Sequence, residues 1–155
     1  CSKYLDEIVT VDDDEIAQAI LFLMERGKMV AEGAGAAPVA AIMNRKFDVS
    51  GKVAAVISGG NIDVTMISRI IEKGLLRAGR MTKLRILMQD RPGQLEMASR
   101  IIAAEGANVM VVHHDRTDVD LDIRDAILEI TMETQDREHA QRVINALREG
   151  GFKVS

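Results

Sequence analysis

The chain has 155 residues, 47% apolar and 28% charged, an ordinary balance for a globular protein with room for one domain or two small ones. Acidic residues outnumber basic ones 24 to 20 and the only aromatics are Tyr4, Phe22, Phe47 and Phe152. That composition disfavours nucleic acid as a partner, offering neither a basic surface nor a stacking platform. No apolar run approaches the roughly 20 residues that span a bilayer, so no membrane role is expected. Cys1 is the single cysteine, which excludes an intrachain disulfide or a thiolate cluster and makes the reducing cytoplasm the expected compartment.

In chain order, Glu7 to Val11 is short and β-branched and predicts a strand. Asp12, Asp13, Asp14 and Glu15 then precede Ile16, Ala19, Ile20, Leu23 and Met24 at helical spacing. Carboxylates at a helix start cap free N–H groups and oppose the dipole, so this cluster is read as a cap, with Gly27 at the helix end. Glu32-Gly33-Ala34-Gly35-Ala36-Ala37-Pro38 leads into Val39 to Lys46, with Pro38 expected in the first turn of a tightly packed helix. Val53 to Ile57 is a continuous apolar run bounded by Gly51 and Ser58-Gly59-Gly60-Asn61, which predicts a buried, parallel strand. From Asp63, the residues Met66, Ile67, Ile70, Ile71 and Leu75 mark an amphipathic helix ending near Gly79.

The pattern then changes. Leu84, Ile86 and Met88 alternate as a half-buried strand, and Asp90-Arg91-Pro92-Gly93 turns into a helix carrying Leu95, Met97, Ala98, Ile101 and Ile102. Asn108 to His114 forms a second strand, and Leu128, Ile130 and Met132 a third. Asp136 caps a helix with Ala140, Val143, Ile144 and Leu147 on one face, and Phe152 to Val154 is a short fourth strand. The order β-α-β-β-α-β is ferredoxin-like, and the boundary between the two halves is placed near Arg80.

Ser58-Gly59-Gly60-Asn61 follows an apolar strand and precedes a helix, the edge where ligands of open α/β sheets collect. On these four residues alone, a tight strand-to-helix turn with Ser and Asn as caps is the favoured account of the pattern. Glu32 with Gly33 and Gly35 is a weaker Gly-rich turn. Lys28, near a helix end, reads as solvated rather than nucleophilic.

Glu32-Gly33-Ala34-Gly35-Ala36, then Ser58-Gly59-Gly60-Asn61-Ile62-Asp63, then Ser68-Arg69-Ile70-Ile71-Glu72-Lys73-Gly74-Leu75 resembles the C-terminal part of the threonine dehydratases. These are pyridoxal-phosphate enzymes of the tryptophan-synthase-β type. Leu84 to Ser155, with Asp90-Arg91-Pro92-Gly93, Gly106-Ala107-Asn108-Val109 and His113-His114-Asp115-Arg116, resembles the ACT regulatory domain fused to shorter members of that family. The order of motifs is far more specific than any one of them. The one departure is Gly27, where the family commonly has Thr before Lys28.

The resemblance implies a fold and a set of roles. Residues 1–80 would be the C-terminal piece of an α/β catalytic domain of PLP fold type II, with a parallel sheet, and residues 81–155 an α+β ACT domain. Ser58 would hydrogen-bond the pyridine nitrogen of pyridoxal 5′-phosphate, with Gly59, Gly60 and Asn61 shaping the turn and Glu32 near the ring. The family's Schiff-base lysine and phosphate loop lie upstream. With Cys-Ser-Lys in place of a start Met, the chain is expected to be a C-terminal fragment, inactive alone. The parent would convert threonine, or serine, to a 2-oxo acid and ammonia. ACT units commonly pair side by side, and small amino acids bind between the first β-α turn and the neighbour. Asp90, Arg91, Pro92, Gly93 and Asn108 are the expected effector contacts, with isoleucine or valine as effector because threonine deamination opens the isoleucine pathway. A non-catalytic amino-acid-binding module and a related serine dehydratase or racemase are the alternatives.

No metal is expected. His113 and His114 point to opposite faces of a strand. Asp118, Asp120 and Asp122 mimic a calcium loop, but Ile123 stands where Gly is needed. Met24, Met66, Met88, Met97 and Met132 read as core filler.

Overall fold

The computed structural model describes residues 4–48, 50–119 and 121–155. The chain divides into two compact units, Cys1–Gly74 and Leu75–Ser155, and each is described by itself.

The first unit is helical. Helix α1, Asp13–Phe22, opens on a capping box in which Asp12 accepts from the Glu15 N–H and Glu15 accepts from the Asp12 N–H. The acidic cluster is therefore a cap, as its position implied. A wider turn, Leu23–Gly27, ends the helix, and Lys28 takes a left-handed conformation with φ of 54°. Helix α2, Gly33–Met43, starts five residues before the expected proline and encloses Pro38. The proline removes the bond to the Ala34 carbonyl. Burial of Gly35, Ala36, Ala40 and Ala41, spread around most of the helix, outweighs that loss. Helix α3, Val64–Arg77, begins where the Asp63 carboxylate accepts from the Thr65 N–H and hydroxyl. The core is small: Ala19, Ile20, Leu23, Ala31, Ala36, Ala40 and Ile70.

Two expectations fail in this unit. Neither Glu7–Val11 nor Val53–Ile57 is a strand, and no sheet forms among its described residues, so the parallel sheet is absent. Apolar and β-branched composition makes a segment able to pair, but a strand exists only where a neighbour supplies its hydrogen bonds. Val56, read as buried, is 77% exposed.

The second unit carries a four-stranded antiparallel sheet in the order β2-β3-β1-β4. Its elements are β1 (Met81–Gln89), α4 (Gln94–Ala104), β2 (Asn108–Asp115), β3 (Asp125–Glu133), α5 (Arg137–Glu149) and β4 (Lys153–Val154). This is the expected β-α-β-β-α-β sequence. Strand alternation sends Leu84, Ile86 and Met88 of β1 and Leu128, Ile130 and Met132 of β3 to one face. There they pack with Ala98 and Ile102 of α4 and Val143 and Leu147 of α5. Each fully buried Leu or Ile of this kind contributes about 1.5–3 kcal/mol. Gly93, with φ of 90°, makes the left-handed turn into α4.

The methionines divide. Met88 and Met132 are buried as expected, but Met66 and Met97 are exposed, at 48% and 38%. Both line clefts instead of the core, because the helical stripe is wider than the face its unit can cover.

Candidate functional site

Two loci hold the residues singled out from the sequence. The first joins the start of α2 to the Ser58–Asn61 loop. The Glu32 N–H donates to the Gly59 carbonyl at 3.2 Å, and the Ile62 N–H donates to the Gly60 carbonyl at 3.0 Å. Gly59 has φ of 69°, and a Cβ there would overlap the Glu32 carboxylate. A Cβ on Gly35 would overlap the Ser58 carbonyl oxygen. Close approach to backbone requires glycine at Gly35, and the left-handed backbone favours it at Gly59. The two Gly-rich turns, over twenty residues apart in sequence, thus form one interlocked element.

Ser58, Gly59, Gly60 and Asn61 are exposed, and Glu32 is half-buried. The Ser58 hydroxyl has no hydrogen bond among the described residues. Glu32 and Asn61 also line a cleft of about 760 Å³ with Ile16, Ile20, Met66 and Ile70, while Ser58 lies outside that lining. Lys28 is held away from nucleophilic chemistry, its Nζ donating to the Glu25 carbonyl at 2.8 Å.

The second locus is the turn after β1. Asp90 donates its N–H to the Arg124 carbonyl at 2.8 Å, and Arg91 donates to the Gln89 carbonyl at 2.9 Å. The Asp90 carboxylate accepts from Arg116, with Nε 2.8 Å from Oδ2 and Nη2 3.2 Å from Oδ1. His114 Nε2 lies 3.7 Å from Asp90 Oδ1 and is buried with no hydrogen-bond partner among the described residues. His114 pairs across the sheet with the core residue Leu128, so it faces the helices, while His113 pairs with Glu129 on the other side. Asp115 accepts from the Thr117 N–H and hydroxyl, both at 2.8 Å, which holds its carboxyl below the usual carboxylate range. Arg116 and His114 were not assigned to this turn from sequence, because a contact across 26 positions leaves no periodic signal.

Asn108 sits elsewhere. It opens β2 opposite Glu133, to which its Nδ2 donates at 3.1 Å, and Glu133 faces Met81 at the start of β1. Asp90 follows the far end of β1. At about 3.3 Å per residue, the nine positions from Met81 to Asp90 separate the two by roughly 30 Å within one chain.

Sequence reasoning also missed His139, which is 1% exposed. Its Nδ1 accepts from the Gln135 N–H at 3.0 Å and its Nε2 lies 2.8 Å from the Glu105 carbonyl. The ring therefore carries its proton on Nε2. Its position four residues before Val143 put it on the buried stripe of α5, a signal that was there to be read.

No group of three or more His, Cys, Asp or Glu among the described residues is arranged to hold a metal ion; Cys1 and Asp120 lie outside them. No helix among them is long and apolar enough to cross a membrane.

Fold and geometry define a two-unit chain, a helical unit with a glycine-interlocked loop followed by a β-α-β-β-α-β unit. No family model matches it. Over 153 residues, 98% of this chain, it is 50% identical to the L-threonine ammonia-lyase of Thermotoga maritima, of which it covers 38%. It is 46% identical over 151 residues to the L-threonine ammonia-lyase of Geobacter sulfurreducens, again covering 38% of that protein. A catabolic L-threonine dehydratase of Staphylococcus aureus is 48% identical over 75 residues, 46% of this chain. The chain is thus a homologue of the threonine ammonia-lyases, or threonine dehydratases, and spans about two fifths of the length of these relatives. A crystal structure of protein BT0572 from Bacteroides thetaiotaomicron aligns with 49% of the chain at 18% identity and a TM-score of 0.37, too slight a likeness to bear on the fold.

Proposed function

We propose that this chain serves a cytoplasmic, pyridoxal-phosphate-dependent threonine dehydratase, which eliminates water from L-threonine and releases 2-oxobutanoate and ammonia. In this reading residues 1–80 complete the cofactor side of the catalytic domain, and residues 81–155 form a ferredoxin-like ACT unit that regulates it. The observation that carries the reading is 50% identity over 98% of the chain to a protein of that name.

The residues present fit the cofactor. A pyridine nitrogen needs one neutral hydrogen-bonding group, and the exposed Ser58 hydroxyl has none of its own bonds to break. Bound there, pyridoxal phosphate supplies the electron sink for the elimination. Ser58 orients the ring through its nitrogen. A serine sustains less carbanion character than a carboxylate would, which suits prompt loss of a β-hydroxyl. Gly35 lets α2 approach the Ser58 backbone closely, and Gly59 lies against the Glu32 carboxylate. Serine is the alternative substrate.

In the ACT unit, the sheet edge at β2 exposes Met110, Val111 and Val112. An edge of that kind favours side-by-side pairing of two copies, with isoleucine or valine held at the Asp90-Arg91-Pro92-Gly93 turn.

The test is Ser58→Ala in the full-length enzyme. Loss of one hydrogen bond to a buried partner costs on the order of 1–3 kcal/mol, so turnover should fall roughly ten- to a hundredfold with cofactor absorbance retained. An unchanged rate in the loaded variant removes Ser58 from the site. The 155-residue chain by itself, given pyridoxal phosphate and threonine, is expected to yield no 2-oxobutanoate above the free-cofactor background.

A further inference from the structure

The β1–α4 turn was expected to offer Asp90 as an effector contact, but its carboxylate is already taken. Both oxygens accept from Arg116, through Nε at 2.8 Å and Nη2 at 3.2 Å, with His114 Nε2 at 3.7 Å beside them. The two partners are anchored differently. Asp90 is fixed through its own backbone bond to Arg124 and does not depend on Arg116 for its place. Arg116 has an exposed side chain, 61% accessible, on a backbone held by the Asp115–Thr117 contacts. An exposed pair of this kind is weak and opens readily.

A fixed carboxylate closed by a movable guanidinium matches the two charges of a zwitterion. Resting on the reading of this unit as amino-acid-binding, we propose that the Asp90–Arg116 pair is the closed form of the receptor. An α-amino acid opens it, placing its ammonium on Asp90 and its carboxylate on Arg116. The buried, unpartnered His114 Nε2 stands beside the exchanged charges as a further polar contact. Both charges of the ligand are needed, because a ligand with one of them breaks the pair and leaves the other partner unmatched. The site therefore accepts amino acids and rejects both the 2-oxo acids made from them and the corresponding amines. A regulator built this way reads the amino-acid pool and is blind to the deaminated product.

The experiment titrates the 155-residue chain calorimetrically with isoleucine, valine, threonine and serine, then with 3-methyl-2-oxopentanoate and 2-methylbutylamine. Asp90→Asn and Arg116→Gln are titrated alongside, with melting midpoints to confirm that they fold. In parallel, the Arg116 Nε–H resonance of the wild-type chain is followed by NMR on adding the amino acid. Expected are binding of at least one amino acid, a loss of about tenfold or more in each variant, a shifted Nε–H resonance, and no binding of the oxo acid or amine. Wild-type affinity in either variant, a stationary resonance, or equal binding of the oxo acid or amine overturns the exchange while leaving the amino-acid-binding reading intact. No heat from any of the four amino acids overturns both.

Discussion

Replacing His139 with Phe tests whether the second unit depends on a buried polar contact that its sequence pattern hides. The imidazole is 1% exposed and joins α5 to the end of α4, accepting from the Gln135 N–H and donating to the Glu105 carbonyl. Phe fills the space and removes both bonds. Each lost bond leaves a partly buried backbone group unmatched, at a net cost of about 1–1.5 kcal/mol, so the variant should lose roughly 2–3 kcal/mol. Two companions divide the effect. His139→Asn retains an oxygen near Nδ1 for the Gln135 N–H, and His139→Gln retains an N–H near Nε2 for Glu105, so each should recover about 1 kcal/mol. A chain of two units need not unfold in one step, so the readout is native-state hydrogen exchange at the Ile86 and Leu128 amides in the centre of the sheet. A cost below about 0.5 kcal/mol for Phe would show that the bonds are dispensable. If Asn and Gln fare no better than Phe, packing rather than polar satisfaction holds the site.

Two further predictions concern the loops. Gly35→Ala should destabilise the first unit by about 1–3 kcal/mol although alanine favours helices, because its methyl would overlap the Ser58 carbonyl; slower exchange of the Ala40 amide would refute this. Asp63 and Asp115 both have pKa values lowered, chiefly by the backbone N–H groups of Thr65 and Thr117. The stabilisation from these turns is therefore complete above the ordinary value of 3.8 and lost as pH falls through the lowered ones, and Thr65 and Thr117 amide shifts that titrate at or above 3.8 would contradict it.

What the sequence made legible follows the range of the interactions. The acidic cap of α1, the Asp136 cap and the alternation of Leu84, Ile86 and Met88 are settled within a few residues, and they were read correctly. The start of α2 was misplaced because Pro38 is a strong local signal, whereas the burial of Gly35 and Ala36 that overrides it depends on residues over twenty positions away. Val53–Ile57 has the composition of a buried strand, but composition does not supply the neighbour that would pair with it. At the site, the motif order brought Glu32 and Ser58–Asn61 into one proposal, and the structure joins them through the Glu32–Gly59 bond. The Asp90–Arg116 pair was invisible for the opposite reason: neither residue is unusual where it stands, and only the sheet brings the two ends together.

The same sheet constrains how Asp90 and Asn108 can act together. They lie at opposite ends of the strands, roughly 30 Å apart by strand rise, so one small ligand cannot touch both within one chain. Asp90 is tied to Arg116, the residue just beyond the end of β2, and Asn108 begins the same strand. β2 is an outer strand of the sheet, paired only with β3 among the described residues, and it exposes Met110 and Val111. Antiparallel pairing of β2 with β2 of a second copy would set the start of one strand against the end of the other, bringing a second Asn108 toward the Asp90–Arg116 pair. A shared ligand site therefore requires two copies in that arrangement, and amino-acid binding and self-association would rise and fall together through one strand edge.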